Sequence, residues 1–109
     1  MNLHVVSGPA ALAETAADWF ARWVAEAVAA RGRFAVALSG GSTPRALYAR
    51  LASPEYSARI AWESVHLFWS DERCVPPDHP DSNYRMVAES LLESVPIPAG
   101  NIHRIRGEL

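Results

Sequence analysis

Two short runs constrain the fold of this chain more than any other feature: Phe34-Ala35-Val36-Ala37-Leu38 and Val65-His66-Leu67-Phe68-Trp69. The first is apolar at every position, so it lacks the alternation of a strand with one wet face. A strand of that kind suits the middle of a parallel sheet with helices on both sides. The interval between the runs is long enough for the helical crossover that parallel strands require. Strand, crossover, strand is a βαβ unit, right-handed in about 98% of cases. The fold class this predicts is α/β with a mostly parallel sheet.

The flanking periodicity agrees. From Pro9 to about Arg31, Leu12, Ala16, Trp19, Phe20, Trp23, Val24, Ala27 and Val28 recur at helical spacing, with Glu14, Asp18, Arg22 and Glu26 opposite. Both tryptophans are expected in the core, and Gly32 provides the stop. After the first strand, Thr43 is expected as an N-cap and Pro44 at the first helical position, with Leu47, Tyr48 and Leu51 facing inward. A proline-marked loop, Ser70 to Asn83, precedes a further amphipathic stretch through Tyr84, Val87, Ala88, Leu91, Leu92 and Val95. Pro96-Ile97-Pro98 ends it. Leu3–Val6 and Asn101–Arg106 are candidate strands. The sequence stops at Leu109, where a doubly wound sheet needs more strands, so a truncated reading frame or a fragment is expected.

Composition narrows the function. The 109 residues form one domain, and a net charge of −2 offers no broad basic field for nucleic acid or an anionic membrane. All ten cationic residues are arginine. No apolar run approaches a bilayer span, and the N-terminus lacks the pattern of a signal peptide. With Cys74 the one cysteine, no intrachain disulfide forms, and a cytoplasmic location is the default. The histidines show no metal-binding spacing, so no metal is expected.

In an open parallel sheet, ligands bind beyond the carboxyl ends of the strands. Two polar turns lie there. Ser39-Gly40-Gly41-Ser42-Thr43 combines glycines, which let backbone approach an anion, with a helix start whose N–H groups and dipole favour negative charge. It is neither a Walker loop nor a dinucleotide fingerprint. It reads equally as an ordinary strand-to-helix turn capped by Thr43. Asp71-Glu72-Arg73 places two carboxylates beside a guanidinium, so that one acid can move a proton while the other anchors Arg73, or Arg73 can instead turn its donors to a phosphate. A solvated charge cluster opening a loop fits the same residues.

Leu38-Ser39-Gly40-Gly41-Ser42-Thr43-Pro44, Trp69-Ser70-Asp71-Glu72-Arg73-Cys74-Val75-Pro76 and Asp81-Ser82-Asn83-Tyr84-Arg85-Met86, in that order, closely resemble the 6-phosphogluconolactonases of the glucosamine-6-phosphate isomerase/deaminase superfamily. The resemblance implies a Rossmann-like three-layer α/β/α fold, with residues 1–109 as the N-terminal part of a single domain. It implies hydrolysis of 6-phospho-D-glucono-1,5-lactone to 6-phosphogluconate in the pentose phosphate pathway, with no cofactor and with the sugar-phosphate lactone as partner.

Carried over, Ser39, Gly40, Gly41, Ser42 and Thr43, with Glu72, line the sugar-phosphate pocket. Asp71 matches the acid that moves a proton in the deaminases, and Arg73 the arginine that contacts ligand in the lactonases. The general-base histidine of the family follows a Gly-rich segment in its second half and has no counterpart among these four histidines. The alternatives are a deaminase-like enzyme, which typically carries an aromatic residue where this chain has Arg73, and a non-catalytic sugar-phosphate-binding remnant.

Overall fold

A computed structural model describes residues 9–109; the expected strand Leu3–Val6 lies outside the described residues. The elements in chain order are α1 (Pro9–Arg31), β1 (Phe34–Leu38), α2 (Ser42–Ala52), α3 (Pro54–Ser57), β2 (Val65–Trp69), α4 (Asn83–Ser90) and β3 (Ile102–His103). The strands are parallel in the order β1-β2-β3, with Phe34 opposite Val65 and Leu38 opposite Trp69. The expected strand in Asn101–Arg106 is present as β3, with Ile102 opposite Leu67.

Alternate strand residues point to opposite faces, so Leu38, Val65, Leu67 and Trp69 share one face. They pack with Phe20 and Val24 of α1, Tyr48 and Leu51 of α2, Tyr56 of α3 and Val87 of α4 in a single cluster. Leu51, Leu67 and Leu91 are fully buried, each contributing roughly 1.5–3 kcal/mol by leaving water. The other face differs from expectation. Ala35 and Ala37 are exposed and Phe68 is 42% exposed, because the described helices all send side chains to the first face. Among the described residues β1 is also an edge strand.

In α1 the buried stripe is Ala13, Ala17, Phe20, Ala21, Val24 and Ala27. It is rotated from the expected one towards alanines, whose small side chains let the helix approach closely. The tryptophans are displaced from the core: Trp23 is 51% exposed, and Trp19 packs beside it at 5.8 Å. The guanidinium of Arg22 lies 4.7 Å from the Trp19 ring centroid. Gly32, at φ 80°, ends the helix as expected, its N–H donating to the Val28 carbonyl at 2.8 Å.

The helix after β1 starts earlier than its turn chemistry predicts. Ser42 is its first residue and Gly41 its N-cap, with no side-chain cap. Pro44 is tolerated in this first turn because N–H groups there have no intrahelical acceptor. The later amphipathic stretch is α-helical only to Ser90 and tightens into a 3-10 turn over Leu92–Ser94, while still burying Val87, Leu91 and Val95. None of the described helices is long and apolar enough to cross a membrane.

Candidate functional site

The parallel register brings the ends of β1 and β2 side by side, and their turns are joined by hydrogen bonds. Ser70 donates its N–H, at 2.9 Å, and its hydroxyl, at 3.0 Å, to the Leu38 carbonyl. The Ser39 and Ser70 hydroxyls lie 3.3 Å apart. These bonds set the two polar turns side by side at the carboxyl ends of β1 and β2.

The first turn is held from below. The buried Tyr48 hydroxyl donates to the Ser39 carbonyl at 2.8 Å and accepts from the Ser39 N–H at 3.1 Å. Burial pushes the Tyr48 hydroxyl up from its ordinary value, against the opposing effect of its bond to Ser39. Gly41 adopts φ 113°, where a side chain is strained. Gly41, Ser42 and Thr43 are exposed. Pro44 has no N–H, so the outward donors of this helix start belong to the three residues before it.

Gly40 serves close approach instead of an unusual φ. A Cβ there would lie 2.8 Å from Asn83 Cγ and nearer still to Oδ1. Asn83 is buried, and its Nδ2 donates to the backbone carbonyl and to the carboxylate of Asp71, both at 3.3 Å. It thus lies between the glycine turn and the candidate acid. The Asp81–Met86 segment was legible as a motif, but nothing in the sequence signalled that Asn83 bridges the two turns.

The acidic pair divides differently from expectation. Among the described residues Glu72 does not anchor the Arg73 guanidinium. Its Oε1 accepts from the N–H of Arg73 at 2.8 Å and of Asn83 at 2.7 Å; its Oε2 accepts from the N–H of Tyr84 at 3.0 Å and the Ser82 hydroxyl at 2.8 Å. The physical reason is the start of α4, whose outward N–H groups and positive dipole end attract a carboxylate. Burial opposes ionisation of Glu72. The backbone donors Tyr84, Asn83 and Arg73 and the Ser82 hydroxyl outweigh it and hold the carboxyl below its ordinary range. Ser82 caps the same helix, accepting from the Arg85 N–H at 3.2 Å.

Asp71 is exposed. Arg73 is exposed too, and its guanidinium makes no ion pair among the described residues. Its backbone is nevertheless fixed. The N–H meets Glu72, and the carbonyl accepts from the Val75 N–H at 2.8 Å. Gly107 packs so closely on that carbonyl that a Cβ would overlap it. The turn carrying Gly107 is closed by a bidentate pair, Arg104 to Glu108, at 2.9 and 2.8 Å. The hydrogen bond from Arg104 is the main cause of a Glu108 carboxyl held at about 2. Gly107 was not singled out in the sequence, where an isolated glycine near a chain end carries no signal.

The remaining candidates lie elsewhere. His79 accepts from the Asp81 N–H at 3.0 Å within the loop. His66 and His103 are in strands, ring nitrogens 3.3 Å apart. Cys74 is exposed. The arrangement holds outward backbone donors, an exposed carboxylate and a guanidinium without an ion pair near the carboxyl ends of β1 and β2.

Residues 7–109 match the family model described as glucosamine-6-phosphate isomerases/6-phosphogluconolactonase. A probable chloroplastic 6-phosphogluconolactonase from Oryza sativa subsp. indica is 51% identical over 90% of this chain and 30% of its own length. A 6-phosphogluconolactonase from Nostoc is 42% identical over 95% of this chain and 42% of its own length. The solved 6-phosphogluconolactonase of Trypanosoma brucei superposes with a TM-score of 0.83 at 30% identity, over 95% of this chain and 39% of that one. A monomeric glucosamine-6-phosphate deaminase, at 16% identity and a TM-score of 0.85, shares the fold. The chain thus spans under half the length of each of these relatives. It belongs to the glucosamine-6-phosphate isomerase/6-phosphogluconolactonase family.

Proposed function

We propose that residues 1–109 form the N-terminal part of a single 6-phosphogluconolactonase domain and supply one wall of its active site. The complete enzyme hydrolyses 6-phospho-D-glucono-1,5-lactone to 6-phosphogluconate in the cytoplasm. The backbone N–H groups of Gly41, Ser42 and Thr43 receive phosphate or ring oxygens. Arg73 turns its guanidinium to the lactone or its phosphate, where a planar fork of donors matches oxygen pairs. Asp71 moves or orients a proton at the reacting carbonyl, and the water-activating histidine comes from the part of the fold that the relatives have beyond this segment.

The observation that carries this reading is the commitment of both Glu72 oxygens to the start of α4. It leaves the Arg73 guanidinium without an ion pair among the described residues, next but one to Asp71 in the chain. The deaminase reading is disfavoured by the same position, since those enzymes typically carry an aromatic residue where Arg73 stands.

The test is lactone hydrolysis by this chain, alone and with the remaining segment of the Nostoc lactonase supplied in trans, corrected for spontaneous ring opening. Ammonia release from glucosamine 6-phosphate is assayed in parallel. Lactone turnover by the chain with the added segment, and by neither piece alone, supports the proposal; turnover by this chain alone would contradict the missing-histidine part of it. Ammonia release without lactone turnover supports the deaminase, and binding of 6-phosphogluconate with neither activity supports a non-catalytic module.

A further inference from the structure

We propose that Asn83 is a positioning residue of this site: one amide sets the orientation of Asp71 and the spacing between Asp71 and the Gly40–Gly41 turn. The proposal rests on the reading that these two turns form one substrate crevice. Asn83 opens α4, where its own N–H is held by Glu72 at 2.7 Å. Its side chain is therefore delivered from a fixed backbone. Both bonds from its amide end at Asp71 acceptors, a carbonyl and a carboxylate oxygen. Only the NH2 half of an amide donates, so these acceptors dictate which way the amide faces and leave Oδ1 against Gly40.

The consequence is a mechanical coupling. The end of an asparagine side chain is ordinarily free to swing away from an intruding methyl. Here it swings only by releasing Asp71, and it is buried. A side chain at position 40 is thus excluded through Asp71's partner and not by backbone strain, since Gly40 has no positive φ. A polar residue placed for packing alone would not need its donor half aimed at the acid.

The experiment separates donor from shape. Gly40→Ala, Asn83→Ala and the double variant are made in this chain, and their melting temperatures form a cycle. The proposal expects non-additivity of roughly 4 °C or more, because Asn83→Ala vacates the space that the methyl introduced by Gly40→Ala needs. Additive shifts overturn it.

Asn83→Asp keeps the shape and exchanges the donor for an acceptor. In the lactone assay, with the Nostoc segment in trans, it is expected to lower kcat by about 10²-fold, the scale of a misplaced reacting group, with KM little changed. Its rate relative to wild type should recover as pH falls and its carboxyl regains a proton to donate. Wild-type kcat and pH profile in Asn83→Asp overturn the proposal. If wild type itself turns over no lactone, the lactonase reading fails, and the melting cycle still decides whether Asn83 couples the turns.

Discussion

The hydroxyl of Tyr48 holds both backbone polar groups of Ser39, accepting from its N–H and donating to its carbonyl. The two residues are nine apart, one on α2 and one at the end of β1, so the helix that begins at the glycine turn also clamps it. Tyr48→Phe keeps the ring and removes only the clamp. Leaving partly buried backbone groups unpaired costs about 1–3 kcal/mol, and the turn loses its fixed spacing. Urea unfolding is expected to show that loss together with weaker phosphate binding. Unchanged stability and affinity would mean that the turn holds its shape without Tyr48.

Glu72 gives the loop a pH dependence. Its folded-state pKa lies below the ordinary value of 4.5, so the unfolded chain binds more protons at acidic pH. The contribution is fully present above about pH 4.5 and is lost as pH falls through the lower folded value. Glu72→Gln keeps one acceptor oxygen and is expected to cost roughly 0.5–2 kcal/mol, the scale of a lost helix cap. The stability gap between wild type and Glu72→Gln should be widest above pH 4.5 and close below it. A gap independent of pH would show that the carboxylate's charge plays no part in holding α4.

Gly107 bears on Arg73 from the far side. A methyl at this position would overlap the Arg73 carbonyl and stand 3.0 Å from that of Val75. Both obstacles are backbone, so neither rotates away. Gly107→Ala is expected to destabilise by about 1–3 kcal/mol and to weaken 6-phosphogluconate binding as Arg73→Ala does. Gly100→Ala, which meets nothing within 4 Å, should leave that binding unchanged. Equal affinities for wild type and Gly107→Ala, by calorimetry, would separate the C-terminal turn from the site.

Much of this architecture was legible in the residues. The apolar runs 34–38 and 65–69 gave the two long strands to the residue, and parallel pairing followed from the interval between them. Both polar turns were located because strand ends in such sheets are where ligands bind. What stayed hidden depends on contacts between distant segments. Nothing near Glu72 in sequence says that it reaches the start of a helix beginning eleven positions later. Gly40 and Gly41 look alike in the sequence, yet one serves close approach to Asn83 and the other a positive φ. The α1 stripe misled for a different reason: helical periodicity located the apolar side, but close packing selected alanines over tryptophans.

In the proposed site the Gly41–Thr43 turn and Arg73 bind one ligand together. Titrating the chain with 6-phosphogluconate while following the amide resonances of Gly41, Ser42 and Thr43 and the guanidinium resonance of Arg73 tests it most directly. Both sets are expected to move along a single saturation curve with one dissociation constant. Gly41→Val, which forces a branched side chain into φ 113°, is expected to weaken the response at Arg73 as well as at the turn. Two different constants, a response confined to one turn, or a Gly41→Val titration identical to that of wild type would contradict it.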